Sequence, residues 1–203
     1  MRRGESTRQA ILEQSIDLAS RLGLGGLTIG TLADALGMSK SGLFAHFKSK
    51  DALQVETLKL AADRFVDAVV RPALKAPRGE PRVRALFERW LAWVDSQPSG
   101  CIFAAASFEL DDQPGPARDL LAETQRDWIE TLVQAVRIAK TERHFAEAVD
   151  PDELALVIYG LGFAAHQRQR LLRETDAHAR ALRALDTVLR CARAPGALKK
   201  PKT

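Results

Sequence analysis

The side chains best suited to binding chemistry lie close together in residues 39–50, which combine hydroxyls, amines and one imidazole. On a helix, Leu43 and Phe47 of this stretch fall on one face and most of the polar members on the other. The outward residues would be Ser39, Lys40, Ser41, Phe44, Ala45 and His46. Such a short, polar and basic face suits the major groove of DNA, where base edges accept hydrogen bonds and phosphates attract cations.

Sequence motifs of catalysis are missing: there is no H-E-x-x-H, C-x-x-C, G-x-S-x-G or G-x-x-x-x-G-K. Cys101 and Cys191 are far apart and outside any metal-ligand spacing, so both are predicted to be free thiols. Glu109, Asp111 and Asp112 precede a Pro-Gly-Pro sequence and are interpreted as a solvated loop. The chain is therefore predicted not to be an enzyme and to carry no metal and no cofactor.

Positive charge is concentrated at the two ends of the chain, whose net charge is +4. Residues 1–50 carry seven Lys/Arg against four Asp/Glu, residues 199–203 add three lysines, and residues 51–198 hold 20 basic and 22 acidic side chains. A basic amino-terminal segment on a slightly acidic body indicates that one module meets a polyanion. The lysine tail is predicted to be disordered. No signal peptide or membrane-spanning run is evident, which favours a cytoplasmic protein without a membrane partner.

Two short helices must position the outward residues. Thr28 can cap a helix that runs to about Leu36, and Ser39 can cap another that ends near Phe47. Gly37 lies between them, where a positive φ costs glycine little. Two capped helices that meet at a glycine turn form the helix-turn-helix pattern. Their packing set is predicted to be Leu32, Ala33, Leu36, Met38, Leu43 and Phe47.

The rest of the chain is also predicted to be helical, so the fold class is all-α. A first helix covers residues 6–22, and a long fourth helix begins after Ser49 and ends at Pro72, before a linker at 73–81. Later helices are predicted at about 83–94 and 117–140, from Asp150 to about Glu174, and from Thr175 to about residue 193. The predicted organisation is a helix-turn-helix domain at 1–50, a helical ligand-binding and dimerisation body at 51–198, and a basic tail at 199–203.

Residues 6–53 resemble the amino-terminal domain of the TetR-type (TetR/AcrR) transcriptional regulators. Residues 43–50, Leu-Phe-Ala-His-Phe-Lys-Ser-Lys, are similar to that family's Leu-Tyr-x-His-Phe-x-x-Lys signature, and Ala33 and Gly37 match its pattern. The rest of the chain is similar only in its helical architecture. The resemblance implies a sequence-specific DNA-binding repressor that a small apolar effector releases from its operator. A DNA-binding dimer with no effector is the alternative.

The resemblance also implies which residues meet DNA. The implied set is Thr28, Ser39, Lys40, Ser41, Gly42, Phe44, His46 and Lys50. Within it, Thr28, His46 and Lys50 match phosphate contacts, and Lys40 could reach guanine acceptors. Phe44 replaces the usual tyrosine and so keeps the ring but loses the hydroxyl. Gly42 lies inside the recognition helix, where it could let the backbone approach DNA closely.

A homodimer through the last two helices is implied as well, and it suits a palindromic operator. Small residues in the penultimate helix would allow close helix packing. The implied interface residues are Gly160, Leu161, Ala164, Leu182, Leu185 and Leu189.

The aromatic side chains of the body have two interpretations. They are either plain core or the lining of an apolar effector pocket, which the family encloses with the same helices. The pocket candidates are Trp90, Phe103, Phe108, Trp128 and Phe163, with His166 as a polar contact. A filled core without a cavity would favour a body that serves dimerisation alone.

Overall fold

The computed structural model describes residues 3–195, with side chains from Thr7 onward; the basic tail predicted at 199–203 lies outside them. Regular structure in this range is helical apart from one isolated bridge between Phe145 and Arg193, so the all-α prediction is confirmed. The α-helices in chain order are α1 (Arg3–Leu22), α2 (Ile29–Leu36), α3 (Lys40–Phe47), α4 (Lys50–Phe65), α5 (Arg71–Ala73), α6 (Glu80–Asp95), α7 (Ile102–Glu109), α8 (Pro116–Thr141), α9 (Pro151–Arg170) and α10 (Ala177–Ala192). None of these described helices is long and apolar enough to cross a membrane.

The chain forms two compact units. Of the described residues, the first unit combines 3–65 with 97–125, and the second combines 66–96 with 126–195. The first unit therefore holds α1–α4, α7 and the start of α8. The second holds α5, α6, the remainder of α8, α9 and α10.

In the first unit, α1 packs against α4 and α2 through a stripe of buried residues. Ile11 and Leu18 are buried, and the fully buried Ser15 hydroxyl donates to the Ile11 carbonyl at 2.9 Å. That bond satisfies the one polar group of the stripe without a partner from another helix. The helix begins at Arg3, three residues earlier than predicted.

The fourth helix does not keep α-helical geometry as far as Pro72, which corrects the prediction. It ends at Phe65, and a π-helical turn at Val66–Val70 and the short α5 follow. Pro72 lies in the first turn of α5, where its missing N–H leaves no intrahelical bond unmade. A π turn has hydrogen bonds between residues five apart, in place of the four of an α-helix, and the spacing of apolar side chains did not predict this change.

The core of the second unit is built around Trp90 on α6. Its ring stacks on Tyr159 of α9 at a centroid distance of 5.8 Å and meets Trp128 of α8 edge-on at 5.5 Å. Gly162 lies where any Cβ would overlap the Trp90 ring, so glycine lets the α9 backbone approach the indole. These contacts join three helices through one aromatic side chain.

The boundaries around the α9–α10 connection also differ from the sequence expectation. Asp150, where the sequence predicts this helix to begin, caps α9 by accepting the N–H groups of Asp152 and Glu153 at 2.8 and 3.0 Å. The helix ends at Arg170 rather than Glu174, and Arg173 has a left-handed φ of 59°, which an α-helix cannot include. Asp176, not Thr175, immediately precedes α10, and its side chain makes no cap hydrogen bond.

Candidate nucleic-acid interface

Both ends of α2 are fixed by local hydrogen bonds. Thr28 caps α2: its hydroxyl accepts the Thr31 N–H at 3.0 Å, and the Thr31 hydroxyl accepts the Thr28 N–H at 2.9 Å. This reciprocal pair satisfies two donors that a helix start leaves free. Gly37 ends α2 with a left-handed φ of 62°, as predicted.

The start of α3 is fixed by Ser39, whose hydroxyl accepts the Gly42 N–H at 3.1 Å. A Cβ on Gly42 would lie only 3.1 Å from that hydroxyl. Gly42 therefore leaves room for the cap itself, a role that the sequence interpretation had not given it. Ser49 is the equivalent cap of α4 and accepts the Ala52 N–H at 3.1 Å.

Burial divides α3 into the two faces that the sequence predicts. Leu43 and Phe47 are buried, as are Leu32 and Ala33 of α2, and Leu36 and Met38 are half-buried. The exposed members of the predicted DNA-contacting set are Ser39, Lys40, Ser41, Phe44 and Lys50, and the half-buried members are Thr28, Gly42 and His46. Phe44 leaves 56% of its surface exposed, so its ring lies on the outward face of α3.

The starts of α2 and α3 come close to each other through Lys40. Its amine lies 3.8 Å from the position that a Cβ on Gly30 would take, and Gly30 is two residues beyond the Thr28 cap. The positive ends of two helix dipoles and one ammonium group thus share one side of the module. That arrangement favours anions such as backbone phosphates.

Behind this face, two polar residues that sequence reasoning missed hold the module together. Gln54 is buried and donates to the Leu24 carbonyl at 2.5 Å. Glu109 had been interpreted as part of a solvated loop, but it is the last residue of α7 and accepts N–H groups from Leu24 and Gly25. The glycine-rich stretch at residues 22–26 was the only signal in the sequence that its backbone N–H groups could bind an anion. That the anion is the carboxylate of Glu109, 85 residues beyond Leu24, could not be inferred.

The structure brings together only part of the predicted effector set. Trp90 and Trp128 are buried and meet the half-buried Phe163, whose ring lies 6.2 Å from that of Trp90. Phe103 and Phe108 belong to the other unit, where Phe103 packs edge-on against Phe65 at 6.0 Å. Phe108 is 77% exposed.

His166, the predicted polar contact, is half-buried on α9, one turn beyond Phe163. Its Nδ1 is buried without a hydrogen-bond partner among the described residues. Burial, with smaller contributions from the charges of Arg170 and His178, lowers the pKa of His166 below its ordinary value.

A groove of about 420 Å³ lies elsewhere in the second unit, and none of the six predicted pocket residues lines it. Its apolar wall includes Val70, Leu74, Leu86 and Ile138. Its polar lining residues are Arg82, Asp127, Glu130, Thr131 and Gln134. Val70 belongs to the π-helical turn, so the part of the helix that departs from α geometry faces this groove.

The predicted dimer residues divide by burial. Gly160 and Ala164 are exposed on α9, and Leu161 and Leu182 are half-buried. Leu185 and Leu189 have no exposed surface, because they face the interior of their own unit, and so they have no surface left to bury against a partner. Exposed apolar side chains that sequence reasoning did not name also lie on α9, namely Leu156 at 68% and Val157 at 44% exposure.

The cysteines are both free, as predicted, with Cys101 buried and Cys191 exposed. Burial raises the pKa of the Cys101 thiol, which disfavours the reactive thiolate. Among the side chains described between residues 7 and 195, no group of three or more His, Cys, Asp or Glu could hold a metal ion.

Two capped helices around a left-handed glycine, with a polar and basic face turned outward, define a helix-turn-helix DNA-binding protein. Family comparison agrees: residues 11–57 match the family described as "Bacterial regulatory proteins, tetR family", and residues 79–185 match "Tetracyclin repressor-like, C-terminal domain". The chain belongs to the TetR family of DNA-binding transcriptional regulators, whose members bind operator DNA as dimers.

Solved structures share the whole fold at low sequence identity. A TetR transcriptional regulator from Chloroflexus aurantiacus has a TM-score of 0.84 at 24% identity, covering 94% of this chain and 97% of that chain. A TetR-family regulator from Cytophaga hutchinsonii has a TM-score of 0.81 at 16% identity, covering 96% and 98%. AibR, in complex with isovaleryl coenzyme A and operator DNA, has a TM-score of 0.71 at 19% identity, covering 93% and 98%. No curated protein sequence matches the chain significantly.

Proposed function

We propose that this regulator is a repressor that a small apolar molecule releases from a palindromic operator. The proposal that the protein binds DNA is supported by the exposed face of α3, where Lys40 lies beside the start of α2. The protein would act by binding alone, without catalysis, and in the cytoplasm. The operator-binding function is assigned to residues 1–50, and the effector and dimer functions to residues 51–198.

Each DNA-contacting residue is assigned a role from its position. Ser39, Lys40 and Ser41 would enter the major groove at the start of α3, with Lys40 directed at guanine acceptors. Thr28 and Lys50 would hold the phosphates on either side, at the starts of α2 and α4. His46 would contact a further phosphate, and Gly42 would let the backbone of α3 approach DNA closely. The exposed Phe44 ring could pack on a thymine methyl group, because it lacks the hydroxyl that would reach a phosphate.

Dimerisation is assigned to the outer faces of α9 and α10. A groove of about 200 Å³, into which a partner helix could pack, is lined by exposed Ala164 and four further alanines together with Leu161, Arg168 and Arg180. Gly160 is exposed one turn before Ala164 on the same helix. Leu156 and Val157 extend this apolar surface along α9. A two-fold dimer of this kind presents two recognition helices to successive major grooves, which is the reason to expect a palindrome.

The effector site is assigned to the 420 Å³ groove, which falls within the size range of small-molecule pockets. Its apolar wall, with Leu74 48% exposed, supports an apolar ligand. The π turn that lines the groove directly follows α4 in the chain, so a ligand that favours one geometry of this turn could alter the helix that leads to the DNA-binding module. AibR offers a precedent for a member of this fold that holds operator DNA and a small molecule.

The first experiment is selection of bound DNA from a random pool by the purified protein at near-physiological salt. A recovered palindrome is the expected result. A folded, dimeric protein that enriches no sequence would contradict the operator-binding proposal.

The effector proposal is tested by screening small apolar compounds for release of the selected DNA. Leu74→Glu should abolish release without changing DNA affinity, because it places a charge in the groove and touches no assigned DNA contact. If no compound releases the DNA and none raises the melting temperature, the body serves dimerisation alone.

A further inference from the structure

The carboxylate of Glu109, at the end of α7, is held by backbone N–H groups of the loop between α1 and α2. Oε2 accepts the Leu24 N–H at 2.6 Å, and Oε1 accepts the Gly25 N–H. The carboxylate forms no ion pair with any described residue. Its charge is therefore stabilised by donors from the loop that precedes the helix-turn-helix, and hydrogen bonds to a charged acceptor are stronger than neutral ones.

The loop sequence fits this carboxylate. Gly23 has a left-handed φ of 78°, and a Cβ there would lie 2.7 Å from Oε2. A Cβ on Gly25 would overlap Oε1. Glycine at both positions allows successive N–H groups to close around the anion, as in the backbone concavities that bind phosphate.

The same loop is bonded onward to the start of α2. Gln54 donates to the Leu24 carbonyl, and the Thr31 hydroxyl donates to the Gly26 carbonyl at 2.8 Å. Thr31 in turn forms the reciprocal cap with Thr28. A continuous set of hydrogen bonds and peptide units thus runs from Glu109 to the residue assigned to a phosphate contact.

We propose that Glu109 is a positioning residue for DNA recognition: it fixes the 23–26 loop and, through Thr31, the orientation of Thr28 at the start of α2. The inference rests on the proposed phosphate contact of Thr28. Glu109 lies outside both residues 1–50 and the matched 11–57 segment, so it extends the DNA-binding machinery to α7.

The test compares Glu109→Ala and Glu109→Gln with Asp112→Asn, an exposed carboxylate three residues away that controls for the loss of negative charge. DNA affinity is measured on the operator selected by the wild type, at a temperature where circular dichroism shows each variant to be folded. Glu109→Ala should bind roughly tenfold more weakly, because two backbone donors lose their acceptor. Glu109→Gln should be intermediate, and Asp112→Asn should stay within about twofold.

Two further measurements separate positioning from general stability. Amide exchange by NMR should accelerate at Leu24 and Gly25 in Glu109→Ala, while α4 amides remain protected. Gly25→Ala should weaken DNA binding in the wild-type background but not in the Glu109→Ala background, since its Cβ then meets no carboxylate.

Failure of the wild type to select any DNA would overturn the proposed function and this inference with it. A wild type that binds its operator, together with Glu109→Ala and Glu109→Gln variants of unchanged affinity, would overturn the positioning role alone. Additive effects of Gly25→Ala and Glu109→Ala would also contradict it.

Discussion

The six-membered ring of Trp90 lies against the backbone of Gly162, closer than any side chain larger than hydrogen would allow. The contact places α6 and α9 at a separation that only glycine permits. Gly160, one half-turn earlier on α9, has open space around the position of its missing Cβ. Two glycines on one helix thus have opposite surroundings.

Gly162→Ala is expected to lower the free energy of unfolding by about 1–3 kcal/mol, because the added methyl group forces Trp90 out of its packed position. Gly160→Ala is the matched control. Because Gly160 lies on the proposed dimer face, both substitutions are compared in an Ala164→Glu background that is expected to be monomeric. There Gly160→Ala should raise the free energy of unfolding by about 0.5–1 kcal/mol, the usual gain from removing a helical glycine. Urea denaturation measures both. Equal effects of the two substitutions would show that the Trp90 contact does not limit the spacing of α6 and α9.

Lys50→Ala is expected to weaken binding to all DNA sequences, because it removes one phosphate contact. The slope of the logarithm of the binding constant against the logarithm of the salt concentration (the salt slope) should become smaller in magnitude by about one. Lys40→Ala should instead change the sequence preference at one position of each half-site. Affinity is titrated over a range of salt concentrations on matched and mutated operators. Lys75→Ala, an exposed lysine of the second unit, is the control. An unchanged salt slope in Lys50→Ala would contradict the proposed docking.

Ala164→Glu is expected to dissociate the dimer, because it places a charge where small side chains would let two helices meet. Sedimentation velocity measures the molecular mass, and operator affinity should fall with it. Ala68→Glu introduces the same charge at an exposed position of the π turn and should remain dimeric. A dimeric Ala164→Glu would move the interface away from this face of α9.

His166 is expected to make the folded protein less stable as the pH falls. Its pKa is lower in the folded state than in the unfolded chain, so the unfolded chain binds the proton first. The stability contribution is complete above the unfolded value of about 6.5 and is lost as the pH falls toward the folded pKa. His166→Gln should flatten the dependence of the urea midpoint on pH below 7. The same slope in wild type and variant would assign that dependence to other groups.

Local hydrogen bonds made the helix-turn-helix predictable from sequence. The hydroxyls of Thr28 and Ser39 each accept a backbone N–H three residues ahead in the chain. The Gly37 N–H donates to carbonyls three and four residues back. Asp150 with Pro151 predicted the start of α9 for the same reason. Spacing also identified Leu43 and Phe47 as the buried face of α3.

Spacing alone could not identify what a face packs against. Leu185 and Leu189 share a stripe with Leu182, but they face the interior of their own unit while Leu182 keeps partial exposure. The aromatic residues of the body were similarly recognisable as apolar without any indication of which ones would meet. The rings of Trp90 and Phe163 contact each other, whereas Phe108 remains exposed.

The sequence by itself therefore determined the elements whose causes are local: the caps, the glycine turn and the outward residues of the recognition helix. The tertiary structure decided the contacts between residues distant in the chain, such as Glu109 with Leu24 and Trp90 with Gly162. It also decided that α4 gives way to a π turn at Val66. The physical reason is that helical periodicity specifies which residues share a face, whereas the partner of that face depends on how the helices pack against one another.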